Sequence, residues 1–342
     1  MSQDSVRVEK AAIATEPERG PIAAVLGSGF GRNLGLVVAL AILCAVGVGT
    51  AGDNFASVDN TLTILRFASV IGVISIGMTF VIIAGQIDLS VGAIVALASV
   101  WCTTVATQQM AEDTHWIVMV TTALLVGVGC GLVNGLLVAY GGIVSFIATL
   151  AMLASARGLA EILANRRTQI VDVDEFADFF RDDFIGVPVL VWMFALVAVI
   201  GWVLLNRTTF GRRTVAVGGN PEAARLAGIN VRRHTLLLFV LLGLCCGIAA
   251  IMITARTTTG SSTHGLLYEL DAIAAVVIGG TLLAGGRGTI VGTVLGVLIF
   301  ATLNNVFVQN DLSSSAQALA KGVIIVVAVL LQQRLANRST TT

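Results

Sequence analysis

Charged residues are scarce in this chain of 342 residues. Only 12% of the residues are charged, whereas 56% are hydrophobic and the mean hydropathy is +0.93. Soluble domains carry about 25% charged residues, so the composition excludes an ordinary soluble domain and predicts a protein of the lipid bilayer. Twenty basic and twenty acidic residues cancel in the net charge, which gives no indication of nucleic-acid binding.

Lysine is nearly absent, and the chain holds only Lys10 and Lys321. A P-loop binds nucleotide phosphates with the help of a lysine in a glycine-rich loop, and neither lysine stands in one. We therefore expect no ATP site on this chain. The five cysteines and three histidines show no metal-ligand spacing. We interpret the cysteines as small core residues and predict no bound metal or cofactor.

Long hydrophobic runs dominate what remains. A helix of about 20 apolar residues crosses the hydrocarbon core, and ten runs come near this length. They are residues 34–51, 62–84, 90–107, 116–139, 143–163, 187–205, 236–254, 270–285, 289–307 and 316–332. The sequence therefore predicts an all-α polytopic membrane protein with about ten transmembrane helices in one bundle. At 85–89, 140–142 and 286–288 the turns are so tight that a broken or re-entrant helix is an alternative.

Glycines recur four residues apart in several runs, and such spacing lets helices approach closely in a bilayer. The sets are Gly127, Gly131 and Gly135; Gly243 and Gly247; and Gly288, Gly292 and Gly296. This pattern favours a compact bundle and indicates no particular function.

Basic residues are unevenly distributed between the two sides of the predicted bundle. With ten crossings, thirteen Lys and Arg residues outside the runs share a side with both termini, and four lie on the other side. The positive-inside rule makes the richer side cytoplasmic. We predict a disordered cytoplasmic tail at 1–33, a transmembrane domain at 34–334 that includes a cytoplasmic loop at 206–234, and a cytoplasmic tail at 335–342.

The cytoplasmic loop contains a short helix with strong local signals, in GGNPEAARLAGIN at 218–230. Asn220 is a good N-cap, and Pro221 suits the first helical position. Glu222 suits the positive end of the helix dipole, and Gly228 permits a left-handed stop. Two turns are marginal in water, so the helix must pack on something. Its apolar ridge, which consists of Ala223, Leu226 and Ala227, fits either a groove on a partner or the chain's own membrane domain.

The segment GQIDLSVG, at 85–92, places an ionisable side chain close to the membrane. Gly85 permits a break, and Ser90 is suited to cap the following helix. An aspartate at the bilayer centre costs roughly 2.5–3.5 kcal/mol, so Asp88 should face a turn, a cavity or a partner. Two interpretations stay open: Asp88 caps the next helix, or it acts in substrate passage or gating.

Other polar residues inside the runs allow both structural and transport roles. Arg157 and Glu161 stand one helical turn apart, and we expect them to pair. Lys321 is expected to snorkel outward from the last run. Asn134, Asn304 and Asn305 either line a polar path or bond neighbouring helices.

Five motifs, in chain order, resemble the ribose-type permease subunits of bacterial ABC sugar importers. They are GMTFVIIAGQIDLSVGAIVAL, SFIATLAMLASARGL, NPEAARLAGI, GGTLLAGGRGTIVGTVLGV and KGVIIVVAVLL. The resemblance spans roughly residues 62–330. It implies a bacterial cytoplasmic (inner) membrane protein that, with a second permease subunit, forms the path for a monosaccharide or related solute. Cytoplasmic ATPase subunits, which bind ATP and Mg, and an extracytoplasmic substrate-binding protein are its implied partners.

The resemblance also implies roles for particular residues. The coupling element that contacts the ATPase comprises Asn220, Pro221, Glu222, Ala223, Ala224, Leu226 and Gly228. The polar residues in or beside the runs, rather than the resemblance, supply the candidates for the translocation path or gate, which are Gln86, Asp88, Ser90, Asn134, Arg157, Asn304 and Asn305. No catalytic residue is expected on this chain.

An ion-coupled secondary transporter is the alternative function. In such a protein Asp88, Glu161 or Lys321 would carry the coupling ion. The small number of acidic residues in the runs and the strongly signalled cytoplasmic helix argue against it.

Overall fold

The computed structural model describes residues 29–338, which are mostly helical. The helices are α1 (Gly29–Phe55), α2 (Val58–Ile83), α3 (Val91–Cys102), α4 (Val105–Asp113), α5 (Ile117–Ala139), α6 (Ser145–Leu163), α7 (Asp174–Arg181), α8 (Val189–Arg207), α9 (Thr209–Gly219), α10 (Pro221–Leu226), α11 (Val231–Thr257), α12 (Tyr268–Ile278), α13 (Ile290–Gln309) and α14 (Ser314–Arg338). Two antiparallel pairs of two-residue strands join loops: β1 (Gln169–Ile170) with β4 (Thr259–Gly260), and β2 (Asp183–Phe184) with β3 (Val187–Pro188).

The described residues include seven helices that are long and apolar enough to cross a membrane. They are α1, α2, α5, α6, α8, α11 and α13. The pair α3 and α4, bent by 54°, adds an eighth candidate if it forms one broken span. An all-α polytopic membrane protein is thereby confirmed. The predicted tail at 1–33 lies largely outside the described residues, although α1 already includes residues 29–33.

Two predicted runs are not continuous helices. The run 90–107 is interrupted because Thr104 caps a new helix, its side chain accepting the N–H of Thr107. The run 270–285 is covered only by α12, whose 11 residues span roughly 16 Å. Gly280 ends that helix region with φ +85°, a conformation that disfavours side-chain-bearing residues. By itself, α12 therefore covers only about half of the hydrocarbon thickness.

The core is built around α2 and α11. In the most apolar 18-residue stretch of each helix, 89% of the residues of α2 and 67% of those of α11 are buried, against 6% in α1. Helix α1 therefore lies at the periphery, where it packs on α13. Helices α5 and α11 pack closely, with Gly127 and Gly131 facing Gly243 backbone to backbone. The predicted role of the glycine spacing is thus confirmed for this pair.

Candidate functional site

The predicted short helix forms α10, with the capping that the sequence indicated. The side chain of Asn220 accepts the N–H of Ala223 at 3.0 Å, and Pro221 occupies the first turn. Gly228 adopts φ +84°, and Ile229 N–H donates to Ala224 O at 3.0 Å, which closes the C-terminal end. Local hydrogen bonds therefore fix both ends of a helix of six residues.

One side of α10 packs on its own chain and the other side is free. Ala224 is buried, whereas Leu226 is 85% exposed. Glu222 and Arg225 form an exposed ion pair at 2.8 Å. The predicted ridge of Ala223, Leu226 and Ala227 is exposed throughout. The chain's own membrane domain, one of the two surfaces considered, therefore does not cover the ridge.

A second group of predicted residues lies where α2 is separated from α3. We call residues 84–90 the first break. Asp88 is 1% exposed, and its Oδ1 accepts the Ser90 N–H at 2.7 Å and the Ser90 hydroxyl at 2.5 Å. The amide of Asn134 on α5 donates to Asp88 Oδ2 at 3.2 Å and to Ser90 Oγ at 2.9 Å. The structure thus brings Asp88, Ser90 and Asn134 together in one buried polar cluster.

This cluster lies well inside the bundle. Asn134 is next to Gly135, which packs on Leu236 of α11, and Gly131 packs on Phe239. These residues are five and eight positions into α11, so the cluster lies about 10 Å from the start of that helix. Ser90 stands at the N-cap of α3, but its side chain bonds Asp88 rather than the helix. The cluster therefore holds the entry to α3 against α5.

Loss of the Asp88 carboxylate should destabilise the protein. In an Asp88→Ala variant, the N–H and the hydroxyl of Ser90 lose their acceptor and the Asn134 amide loses one of its two, which costs about 1–3 kcal/mol. We expect a lower thermal unfolding midpoint in detergent. Size-exclusion chromatography of heated samples measures it. Asp59→Ala, which removes an exposed aspartate from the first turn of α2, is the control. Equal midpoints for the two variants would refute a structural role for the cluster.

Arg157 lies on α6 and contacts a different non-helical segment, residues 258–267, which we call the re-entrant segment. Its guanidinium donates to Ser262 O and to His264 O, the latter at 2.8 Å. The expected pair of Arg157 with Glu161 is wrong, because Glu161 pairs instead with Arg166 at 3.4 Å. Carbonyls outside a helix lack intrahelical donors, and the half-buried guanidinium of Arg157, which has five N–H groups, satisfies two of these carbonyls.

The re-entrant segment runs into the bundle alongside α3. Gly260 adjoins Thr103, just after the end of α3, and Gly265 adjoins Gly92 near its start. Because α3 rises about 1.5 Å per residue, this path is roughly 16 Å deep. Non-helical backbone at such depth is tolerated in a membrane only where protein or a water-filled cavity surrounds it. The start of α3 and the re-entrant segment therefore meet in the interior of the bundle.

Two acidic residues that the sequence analysis did not select follow the re-entrant segment. Glu269 and Asp271 stand in the first turn of α12, and Asp271 is 5% exposed. Asp271 binds Lys321 of α14 at 3.4 Å, and the Lys321 ammonium also lies 5.2 Å from the ring centre of Phe300. The expectation that Lys321 snorkels outward is therefore wrong, because a buried carboxylate holds it inside. Two acids at the start of an apolar run, in YELDAI, were the available signal.

The remaining predicted path residues lie apart from these contacts. Gln86 is half-buried in the first break. Asn304 donates to Phe300 O within α13. Asn305 and Asn60 of α2 exchange hydrogen bonds at 2.7 and 3.1 Å, and Gln309 adds a third at 3.0 Å. Asn305 thus joins α13 to α2, which is the structural alternative considered for it, whereas Asn304 bonds within its own helix.

The comparisons with known proteins agree with these features. A family model described as branched-chain amino acid transport system / permease component matches residues 60–331. The chain belongs to this permease family. Among its relatives, the ribose import permease protein RbsC of Bacillus subtilis (strain 168) is 42% identical over 308 residues, which cover 90% of this chain and 94% of that protein. RbsC of Escherichia coli (strain K12) is 40% identical over 302 residues, covering 87% and 92%.

A third relative, the L-arabinose transport system permease protein AraH of Escherichia coli (strain K12), is 38% identical over 318 residues, covering 89% of this chain and 92% of AraH. No solved structure matches the chain. Membership in the permease family confirms the resemblance to the ribose-type permeases and a multi-pass location in the cytoplasmic membrane. It also confirms that the chain is a transport component rather than an enzyme, with ATP hydrolysis on a separate subunit.

Proposed function

We propose that this permease forms the membrane pathway for a monosaccharide or a related small polar solute in an ATP-driven importer. The observation that carries the substrate class is the identity of 38–42% with permeases named for ribose and L-arabinose, over nearly the whole of each chain. A substrate-binding protein outside the membrane delivers the solute. A second permease subunit, identical or related, completes the pathway.

The cytoplasmic ATPase, with its ATP and Mg, docks on α10. Support comes from the free face of this helix, which presents Leu226 beside the Glu222–Arg225 ion pair. An exposed leucine flanked by small apolar residues fits a groove on a partner. Asn220, Pro221 and Gly228 act by fixing the ends of the helix, so that a movement of the ATPase displaces it as a rigid element.

This function requires a defined orientation. Both termini and the loop 206–234 lie in the cytoplasm, with ten crossings between residues 34 and 334, of which α12 with the re-entrant segment provides one. The excess of basic residues on the α10 side supports this arrangement. The tails at 1–33 and 335–342 flank the permease domain.

The solute passes close to the interior junction of α3 and the re-entrant segment. Non-helical backbone beside the start of a short helix is typical of midplane sites in transporters. Asp88, Ser90 and Asn134 hold one side of this junction and Arg157 the other. Gln86, Asn304 and Asn305 are assigned to positioning of the surrounding helices.

Docking on α10 can be tested with Leu226→Asp. Because a charge in an apolar groove has no partner, we expect the variant to lose co-purification with the ATPase subunit and to lose uptake of labelled D-ribose or L-arabinose. Leu226→Met preserves the apolar surface and should retain both. Membrane yields should be equal, since Leu226 is exposed. Normal co-purification of the Asp variant with its ATPase would contradict docking at this helix.

A further inference from the structure

Three stretches of backbone meet at the end of α9, two residues before the cap of α10. Gly218 lies against the carbonyl oxygen of Ile83, the last residue of α2, and a Cβ built on it would stand 2.7 Å from Gly286 N. Gly286 N–H donates to that same Ile83 oxygen at 2.7 Å. We call this meeting point the glycine joint, formed by Ile83, Gly85, Gly218, Gly285 and Gly286.

No side chain separates the three stretches of the glycine joint. A Cβ built on Gly285 would lie 2.9 Å from Gly218 O and 3.1 Å from the Cα of Gly85. Gly85, Gly285 and Gly286 have φ of +75°, +88° and +78°, which side-chain-bearing residues rarely adopt. Surfaces without interlocking side chains can shift against each other without rotamer changes, unlike a close-packed core.

The glycine joint connects α10 with the first break and with the segment between α12 and α13. Gly85 opens the first break, which continues to Asp88 and α3. Gly285 and Gly286 belong to residues 279–289, which follow α12 and precede α13. Gly218 is separated only by Gly219 from Asn220, the cap of α10. A displacement of α10 therefore reaches the first break and residues 279–289 through one residue, Gly218.

We propose that Gly218 is the positioning residue through which movement of α10 is transmitted to the first break and to residues 279–289. The proposal rests on the docking of an ATPase at α10. The absence of a side chain at 218 lets the end of α9 slide across Ile83 and Gly285 when α10 is displaced. A methyl group at this position collides with the Ile83 carbonyl and the backbone of residue 286.

The chain offers a matched control in the next residue. A Cβ built on Gly219 meets nothing within 4 Å, and Gly219 ends the same helix. In the complete importer, Gly218→Ala should retain the ATPase subunit but lower uptake of labelled D-ribose or L-arabinose relative to ATP hydrolysed by about tenfold or more, since overpacking of this size shifts a conformational equilibrium by such a factor. Gly219→Ala should keep the wild-type ratio. Equal ratios for both variants would overturn the proposal.

A spin label at position 219 tests the same movement without relying on the folding of Gly218→Ala. A Cβ built on Gly219 meets nothing within 4 Å, so a label on Gly219→Cys has room. In the complete importer its electron paramagnetic resonance spectrum should change when ATP binds, because the end of α9 slides across Ile83 and Gly285. The same spectrum with and without ATP would overturn the proposal. Normal co-purification of Leu226→Asp with the ATPase would instead refute the docking at α10.

Discussion

Replacement of Lys321 by methionine should destabilise the protein by about 3–5 kcal/mol, because the buried carboxylate of Asp271 then loses its only ionic partner among the described residues. The side chains of Lys321 and Asp271 are 23% and 7% exposed, so water compensates little. The pair also joins α14 to α12, which is the main helix that α14 contacts. The free energy of unfolding, followed by denaturant titration in detergent, measures the effect.

A double variant separates the loss of the pair from the presence of an unpaired charge. Asp271→Leu/Lys321→Leu removes both charges, and apolar replacement of a buried pair is often neutral or stabilising. We expect it to recover most of the stability lost in Lys321→Met. A double variant as unstable as the single one would show that the ion pair itself holds α14 in place. A Lys321→Met protein of wild-type stability would show that Asp271 has another partner.

Local features of the fold could be predicted from the sequence. The helix α10 illustrates this, because Asn220, Pro221 and Gly228 determine its ends through hydrogen bonds within ten residues. The apolar runs likewise predict helices, since a bilayer leaves the backbone few other ways to satisfy its polar groups. The interruptions of the runs at Thr104 and Gly280 were not predicted. Each depends on a single residue, and a hydropathy average over many residues does not show it.

The interior contacts could not be predicted, because their partners are distant in the chain. Arg157 had an apparent partner one turn away in Glu161, yet it bonds carbonyls 105 and 107 residues later. Lys321 meets Asp271 across 50 residues. A helical wheel shows which residues share a face but not which helix covers that face. Gly218 is a similar case, since the backbone atoms that it contacts belong to α2 and to residues 279–289, which are distant in the chain.

The contact of α5 with α11 should tolerate no side chain at Gly131. A Cβ there would collide with Phe239 O and stand 3.1 Å from the Cα of Gly243, so both obstacles are backbone. Because backbone cannot move aside as a rotamer does, we expect Gly131→Leu to separate the two helices and to destabilise the protein by about 3 kcal/mol or more. The yield of monodisperse protein in detergent and its unfolding midpoint measure the loss.

Gly129, two residues earlier on the same helix, provides the control. A Cβ at this position meets nothing within 4 Å, and Gly129 borders an apolar cavity of about 460 Å³ that Leu97, Trp101 and Met152 also line. A leucine at 129 has room in this cavity, so Gly129→Leu should insert and unfold as the wild type does. The two variants share helix propensity, added volume and hydrophobicity. A difference in stability between them therefore measures the backbone contact alone, and equal stability would mean that α5 and α11 are not in close contact at Gly131.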